Sequence, residues 1–154
     1  MAGPLIFFVE TPAAEQRILL CRWVEGFYAQ KRRIQVVVES TVAAQQLDAM
    51  LWTFSQESFI PHGIQGGSNG DALPNEVWIT IGETLVKGCE VLIADCPVEL
   101  DFMKHFRWSV HFIVMDDSRQ RQESRLVWQR AKEAGFALTH VPHASTFSIP
   151  TLKP

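Results

Sequence analysis

The hydrophobic residues of this chain are grouped in short runs that alternate with longer stretches of helical spacing. Six short runs, mostly β-branched or alternating, are predicted to be strands: residues 5–9, 34–38, 77–81, 91–94, 108–115 and 136–140. Apolar positions three and four residues apart predict helices between them: residues 12–30, a helix from Ser40 or Thr41, a weak helix near 98–105, and residues 118–134. Residues 54–75 are rich in Gly, Ser, Asn and Pro and are predicted to be a long loop.

This alternation predicts a single α/β domain over residues 1–140. We expect a Rossmann-like, three-layer fold in which helices cover both faces of a mostly parallel sheet. The last helix has Asp116-Asp117-Ser118 available as an N-cap and Gly135 as its stop. Residues 141–154 contain three prolines and little periodicity, so this tail is expected to lie over the surface or to fray.

The composition is that of an ordinary soluble protein, with 47% hydrophobic and 20% charged residues. No apolar run reaches the roughly 18 residues that a membrane span requires, and no basic segment precedes residues 5–9. We therefore expect a cytoplasmic protein with no membrane partner. The three cysteines, Cys21, Cys89 and Cys96, form no CxxC pair and are expected to be reduced thiols.

Charge is distributed unevenly along the chain. The formal net charge is −3, which disfavours a protein that grips nucleic acid phosphates through its own surface. Residues 1–103 contain 6 basic and 13 acidic residues, whereas residues 104–154 contain 8 basic and 4 acidic residues. The C-terminal third is therefore the part that could meet an acidic partner.

No sequence motif predicts catalysis, a cofactor or a metal. The junction after the first strand, Glu10-Thr11-Pro12, lacks the glycines of a phosphate-binding loop, and Glu10 would repel phosphate. The chain has no GxxxxGK[ST], GxGxxG, HExxH or GxSxG pattern. We therefore expect a non-enzymatic adaptor. The alternatives are a nucleotide-binding Rossmann-type enzyme with an atypical phosphate loop and a free-standing DNA-binding module.

An unusual number of large apolar residues lies at the end of the second predicted helix and in the loop after it. The candidate partner-binding residues here are Trp52, Phe59, Ile60 and Pro61. A loop seldom buries so many apolar side chains, so some should remain exposed as an interaction patch. The alternative is a small core beneath the loop.

A second candidate surface lies on the last predicted helix. At about 100° per residue, Arg121, Arg125, Trp128 and Lys132 fall within a sector of roughly 60°. The predicted core face consists of Val127, Ala131 and Ala134, with Ser124 on its flank. Trp128 is therefore expected to point away from the core. Cations around an aromatic ring suit an acidic peptide that ends in a bulky apolar residue. The alternative is a solvated helix face with one partly buried Trp.

Two segments of the chain resemble a known family. Leu47-Asp48 followed by Leu51-Trp52, and then residues 57–62 (Glu-Ser-Phe-Ile-Pro-His), resemble the signature of the chi subunit of bacterial DNA polymerase III holoenzyme. The late Ala134-Gly135-Phe136 also fits this family. The resemblance implies a Rossmann-like fold without nucleotide chemistry or a cofactor. It also implies an accessory subunit of the clamp-loader complex, located at the nucleoid-associated replisome and in contact with DNA only indirectly.

The resemblance also implies two partner sites. Val114, Arg125 and Trp128 match the family positions that hold the acidic C-terminal tail of single-stranded DNA-binding protein (SSB), which ends in Pro-Phe. The family has a basic residue after the aromatic one, where this chain has Gln129. Arg121, Arg130 or Lys132 could supply that charge. Trp52 and Phe59 match the side that binds the psi subunit or, in its place, a repair helicase.

Overall fold

The computed structural model describes residues 4–54, 60–65 and 76–153. Its strands are β1 (Leu5–Thr11), β2 (Ile34–Val38), β3 (His62–Gln65), β4 (Val77–Ile81), β5 (Val91–Ala94), β6 (Trp108–Val114) and β7 (Ala137–Val141). Its helices are α1 (Gln16–Ala29), α2 (Thr41–Phe54), α3 (Leu100–Met103) and α4 (Ser118–Glu133). Single 3-10 turns lie at Ala13–Glu15 and His143–Ser145.

The strands form one seven-stranded sheet in the order β3-β4-β2-β5-β6-β1-β7. Every pairing between described strands is parallel. Strand β1 lies between β6 and β7, because Leu5 is opposite Trp108 of β6 on one side and Ala137 of β7 on the other. The predicted α/β fold with a mostly parallel sheet is confirmed.

Side chains that alternate along the strands build one core on each face of the sheet. Phe7 and Val9 of β1 pack in the core beneath α1 and α2. Ile6 and Phe8 point the other way, into a core that includes residues of α3 and α4. The result is the predicted three-layer sandwich.

One strand was not predicted from the sequence. Residues 62–65 fall within the predicted loop, yet they form β3, which pairs in parallel with β4. The prediction was wrong because this edge strand contains Gly63 and a single apolar residue, Ile64, and so lacks a strand pattern. Of the remaining residues of the predicted loop, Phe54 ends α2 and residues 60–61 precede β3, while residues 55–59 and 66–75 lie outside the described residues.

The C-terminal segment packs along α1. The Trp23 Nε1 atom donates a hydrogen bond to the Thr146 carbonyl oxygen at 3.0 Å, and Leu152 is only 5% exposed. Gly26 faces Ile149 so closely that a Cβ atom there would lie 2.6 Å from the Ile149 Cγ2 atom. Helix α1 therefore carries a glycine where this segment crosses it.

Candidate functional site

Helix α4 is capped at both ends and packs on one face of the sheet. The Asp117 side chain accepts a hydrogen bond from the Gln120 backbone N–H at 3.0 Å, and this bond lowers the pKa of the Asp117 carboxyl. At the other end, Gly135 adopts a φ of 91°, which glycine tolerates without strain. The helix packs against β6 and β7 and so lies across β1.

The buried face of α4 agrees only in part with the predicted core face. Ser124 and Ala131 are buried, whereas Ala134 is exposed. Trp128 is half-buried, and its ring meets the Phe8 ring edge-on at a centroid distance of 4.9 Å. The expectation that Trp128 points away from the core is wrong, because α4 crosses β1 and Phe8 lies directly beneath this part of the helix.

This orientation of α4 creates a surface cavity of about 370 Å³ at the carboxyl ends of β1, β6 and β7. We call it the α4 cavity. Its walls combine apolar side chains from three elements with polar groups at the edge. The lining residues are Phe8, Glu10, Ile113, Met115, Arg121, Ser124, Arg125, Trp128 and His140. A cavity of this size and character is typical of a site for a small ligand or an anchored side chain.

The structure brings together three of the five predicted tail-binding residues, Arg121, Arg125 and Trp128, in the wall of this cavity. Val114 does not join them. It is 3% exposed and belongs to the same alternating set as Phe112, which packs in the core beneath α1. Its sequence neighbours Ile113 and Met115 line the cavity instead. Lys132 is exposed further along α4 and does not line the cavity.

The charged residues around the α4 cavity differ in the contacts that they make within the protein. The Glu10 Oε2 atom lies 2.7 Å from the His140 Nε2 atom, and the Glu10 Oε1 atom accepts a hydrogen bond from the His143 backbone N–H at 3.0 Å. Glu10 is thus engaged with β7 and the turn after it. Arg121 and Arg125, by contrast, form no ion pair with any described residue. The cavity therefore presents an apolar interior beside two uncompensated guanidinium groups.

A buried polar contact supports α4 beneath the cavity. The His111 Nε2 atom lies 2.8 Å from the Ser124 Oγ atom, and the His111 ring is 5.0 Å from the Phe8 ring. Burial lowers the pKa of His111 to about 4, so this imidazole is neutral near pH 7. His111 thus links β6 to α4 without adding charge.

The second predicted surface is divided between exposed and buried residues. Trp52 is 53% exposed at the end of α2, and its ring lies 4.8 Å from the ring of buried His62. The His62 Nε2 atom lies 3.1 Å from the Asp48 Oδ1 atom. Ile60 is 3% exposed and belongs to the core, and Pro61 is half-buried. Phe59 lies outside the described residues.

The junction after β1 is occupied by protein groups. The Ala13 backbone N–H donates a hydrogen bond to the Asp116 Oδ1 atom at 2.9 Å. A carboxylate thus holds a position where a Rossmann-type enzyme would place phosphate. In the described part of the chain, no three His, Cys, Asp or Glu side chains are grouped to hold a metal, and no helix there is long and apolar enough to cross a membrane.

Several cavity residues were not predicted from the sequence: Phe8, Glu10, Ile113, Met115 and His140. They come from the carboxyl-terminal halves of three strands that are far apart in the chain. The available signal was the general tendency of α/β proteins to bind ligands at the carboxyl ends of their strands.

The described residues form a single α/β domain with an all-parallel sheet, and this fold is similar to that of solved C-terminal domains of the DEAD-box protein Dbp5. One of them is a variant C-terminal domain of Dbp5 from S. cerevisiae bound to Gle1 and IP6, with a TM-score of 0.59, 13% identity, and coverage of 93% of this chain and 91% of that one. A second structure of the C-terminal domain of the DEAD-box protein Dbp5 gives a TM-score of 0.58 at 16% identity, with the same coverage of both chains. At these identities the likeness shows the fold alone.

Sequence comparison gives the family. The chain belongs to the DNA polymerase III chi subunit (HolC) family, whose model matches residues 4–139. It is 29% identical over 127 residues to DNA polymerase III subunit chi of Escherichia coli (strain K12), across 82% of this chain and 83% of that protein. The predicted family membership is confirmed. The chain is therefore a member of a family of accessory, non-catalytic subunits in DNA replication.

Proposed function

We propose that this chain is an adaptor that holds the acidic C-terminal tail of SSB in the α4 cavity. Through its second surface it would join the clamp-loader complex in the cytoplasmic replisome, and it would meet DNA only through its partners. The observation that carries the proposal is the pairing of an apolar cavity of about 370 Å³ with two uncompensated arginines, Arg121 and Arg125.

The shape and chemistry of the cavity suit the end of an acidic peptide. Phe8, Ile113 and Trp128 provide an apolar lining for a terminal phenylalanine, and a buried aromatic side chain is a strong anchor. Arg121 and Arg125 can donate charge-assisted hydrogen bonds to carboxylates of the tail. Glu10 adds one acidic group to the cavity wall, and its contacts with His140 and the His143 backbone hold it toward β7, so the two arginines outnumber it.

Val114 and Gln129 are the two positions at which the proposed tail site differs from what the family resemblance implied. Val114 does not line the cavity, and Ile113 and Met115 would provide the apolar contacts instead. Gln129 is exposed, and Arg121 supplies the charge that the family places after the aromatic residue. We assign Lys132 at most a long-range electrostatic role.

For the second surface, we propose that Trp52 contacts the psi subunit or a repair helicase. The support is its 53% exposure on a rigid base formed by α2 and His62. Ile60 and Pro61 would act mainly by shaping this base, since one is buried and the other half-buried. Phe59 stays a prediction from the family pattern.

The test of the proposed function is fluorescence anisotropy of a labelled SSB-tail peptide. Arg125→Ala should weaken binding by about 10- to 100-fold, because a charge-assisted hydrogen bond contributes about 1.5–3 kcal/mol. Trp128→Ala should have a similar effect with less change in salt dependence, since its contribution is apolar.

The matched control is Arg130→Ala, which removes an exposed arginine of α4 that does not line the cavity. A peptide without its terminal phenylalanine should bind weakly to every variant. Equal affinities for wild type, Arg125→Ala and Arg130→Ala would refute the proposed site.

A further inference from the structure

A second cleft lies at the opposite end of the sheet from the α4 cavity. It has a volume of about 500 Å³, and the first residues of β1, β6 and β7 (Leu5, Trp108 and Ala137) contribute to its wall. These three residues are opposite one another in the parallel register, so the cleft lies at the amino ends of the strands. We call it the amino-end cleft. It shares no lining residue with the α4 cavity.

The rim of this cleft is cationic. Lys104, Arg107 and Lys153 line it together with His105, and no Asp or Glu is among its lining residues. Lys104 is 3.1 Å from the Asp101 carboxylate, which is almost fully exposed. Arg107 and Lys153 form no ion pair with any residue in the described ranges. Two positive charges are thus left uncompensated beside an apolar depression.

Both of these cations are positioned by the fold. The Arg107 guanidinium carbon lies 4.4 Å from the centroid of the Trp108 ring, a cation–π contact that restrains it. Lys153 follows Leu152, whose side chain is 5% exposed and whose backbone N–H donates a hydrogen bond to the Gln30 Oε1 atom at 2.7 Å. The packed C-terminal segment therefore completes the rim.

We propose that the amino-end cleft binds an acidic peptide segment of a partner protein. Carboxylates of the peptide would pair with Arg107 and Lys153, while an aliphatic side chain would contact Leu5 and Ala137. Charge complementarity supports this ligand, and the cleft is large enough for several side chains of an extended peptide.

The same observations disfavour single-stranded nucleic acid as the ligand. Such sites usually offer exposed aromatic rings on which bases stack. Here the two aromatic residues of the cleft are covered, since Phe106 is 2% exposed and Trp108 is 6% exposed. The net charge of −3 also gives little general attraction for a phosphate backbone.

The test measures anisotropy of a labelled peptide of alternating Asp and Leu residues, blocked at both ends, with the full chain. Lys153→Glu and Arg107→Glu should each weaken binding by about 5- to 30-fold. Lys87→Glu, which makes the same charge change at an exposed residue outside the cleft, should leave the affinity within about 2-fold of wild type. Lys153→Glu preserves the cation–π contact of Arg107, so it tests the cleft even where Arg107→Glu perturbs folding.

Three results would overturn the proposal. One is absence of peptide binding, and another is equal weakening by Lys153→Glu and Lys87→Glu, which would indicate general electrostatics. The third is binding lost in Arg125→Ala but kept in Lys153→Glu, which would place the peptide in the α4 cavity. A labelled oligothymidylate is measured in parallel. If it binds and Lys153→Glu abolishes that binding while the peptide does not bind, the ligand is nucleic acid.

Discussion

Substitution of Gly26 by Ala tests whether the C-terminal segment is an integral part of the fold. In an open helix, Gly→Ala stabilises the folded protein by about 0.5–1 kcal/mol. At Gly26 the new methyl group would lie 2.6–2.8 Å from three atoms of Ile149, all close to the Ile149 backbone. Such atoms cannot move away by a simple side-chain rotation, so either the helix or the C-terminal segment must shift.

The expected size of the effect follows from the contacts that this shift would loosen. They include the Trp23–Thr146 hydrogen bond and the burial of Leu152. Overpacking of this kind typically costs about 1–3 kcal/mol, which exceeds the gain in helix propensity. We expect Gly26→Ala to lower the free energy of unfolding by about 1–2 kcal/mol, and the melting temperature by about 2–8 °C.

A double-mutant cycle in urea separates this clash from a general effect on α1. With Ile149→Ala in the background, the methyl group at position 26 has room, so Gly26→Ala should change from destabilising to stabilising. The coupling energy between the two changes should be about 2 kcal/mol. A stabilising Gly26→Ala in the presence of Ile149, or a coupling energy near zero with unchanged m-values, would show that the C-terminal segment is not packed against α1 as described.

Two further predictions concern His111 and the surface around Trp52. Because the pKa of His111 is lowered to about 4, the unfolded chain binds a proton between pH 6.5 and 4 that the folded chain does not. The free energy of unfolding, measured in urea, should therefore fall by up to about 3 kcal/mol as pH decreases through this range. If His111→Gln shows the same decrease, the pH dependence does not come from His111. Trp52→Ala should cost at most about 1.5 kcal/mol of stability, since its side chain is already half-exposed. It should nevertheless weaken binding of psi or helicase, measured by titration calorimetry, by about 2 kcal/mol. Ile60→Ala, by contrast, should mainly lower stability. Unchanged affinity of folded Trp52→Ala would contradict the proposed surface.

The α4 cavity and the amino-end cleft lie at opposite ends of the same three strands. Strand β1 has seven residues, so the two sites are separated by about 20 Å along the strand direction. This separation would allow two acidic segments to bind at the same time. Binding of the SSB-tail peptide should then be unaffected by Lys153→Glu.

The central strands of the sheet could be predicted from the sequence because buried strands consist of short, continuous runs of apolar residues. The residues of β2, β4 and β5 are the ones that the apolar runs indicated. Parallel strands covered on both faces read as nearly continuous β-branched and apolar segments. Strand β3 has no such apolar run, and it is a strand because it pairs with β4 rather than because of its own composition.

The candidate functional site could also be predicted from the sequence only in part. Helical periodicity alone placed Arg121, Arg125 and Trp128 on a common sector of α4, because residues three and four apart lie side by side on any helix. Periodicity could not decide how α4 is rotated on the sheet, so it placed Trp128 outward and Ala134 inward. It also could not show that Phe8 and His140 meet this helix, since they come from strands near the two ends of the chain. The sequence determined what each element could bury or expose; only tertiary packing decided which faces and strand ends meet, because that depends on contacts between distant parts of the chain.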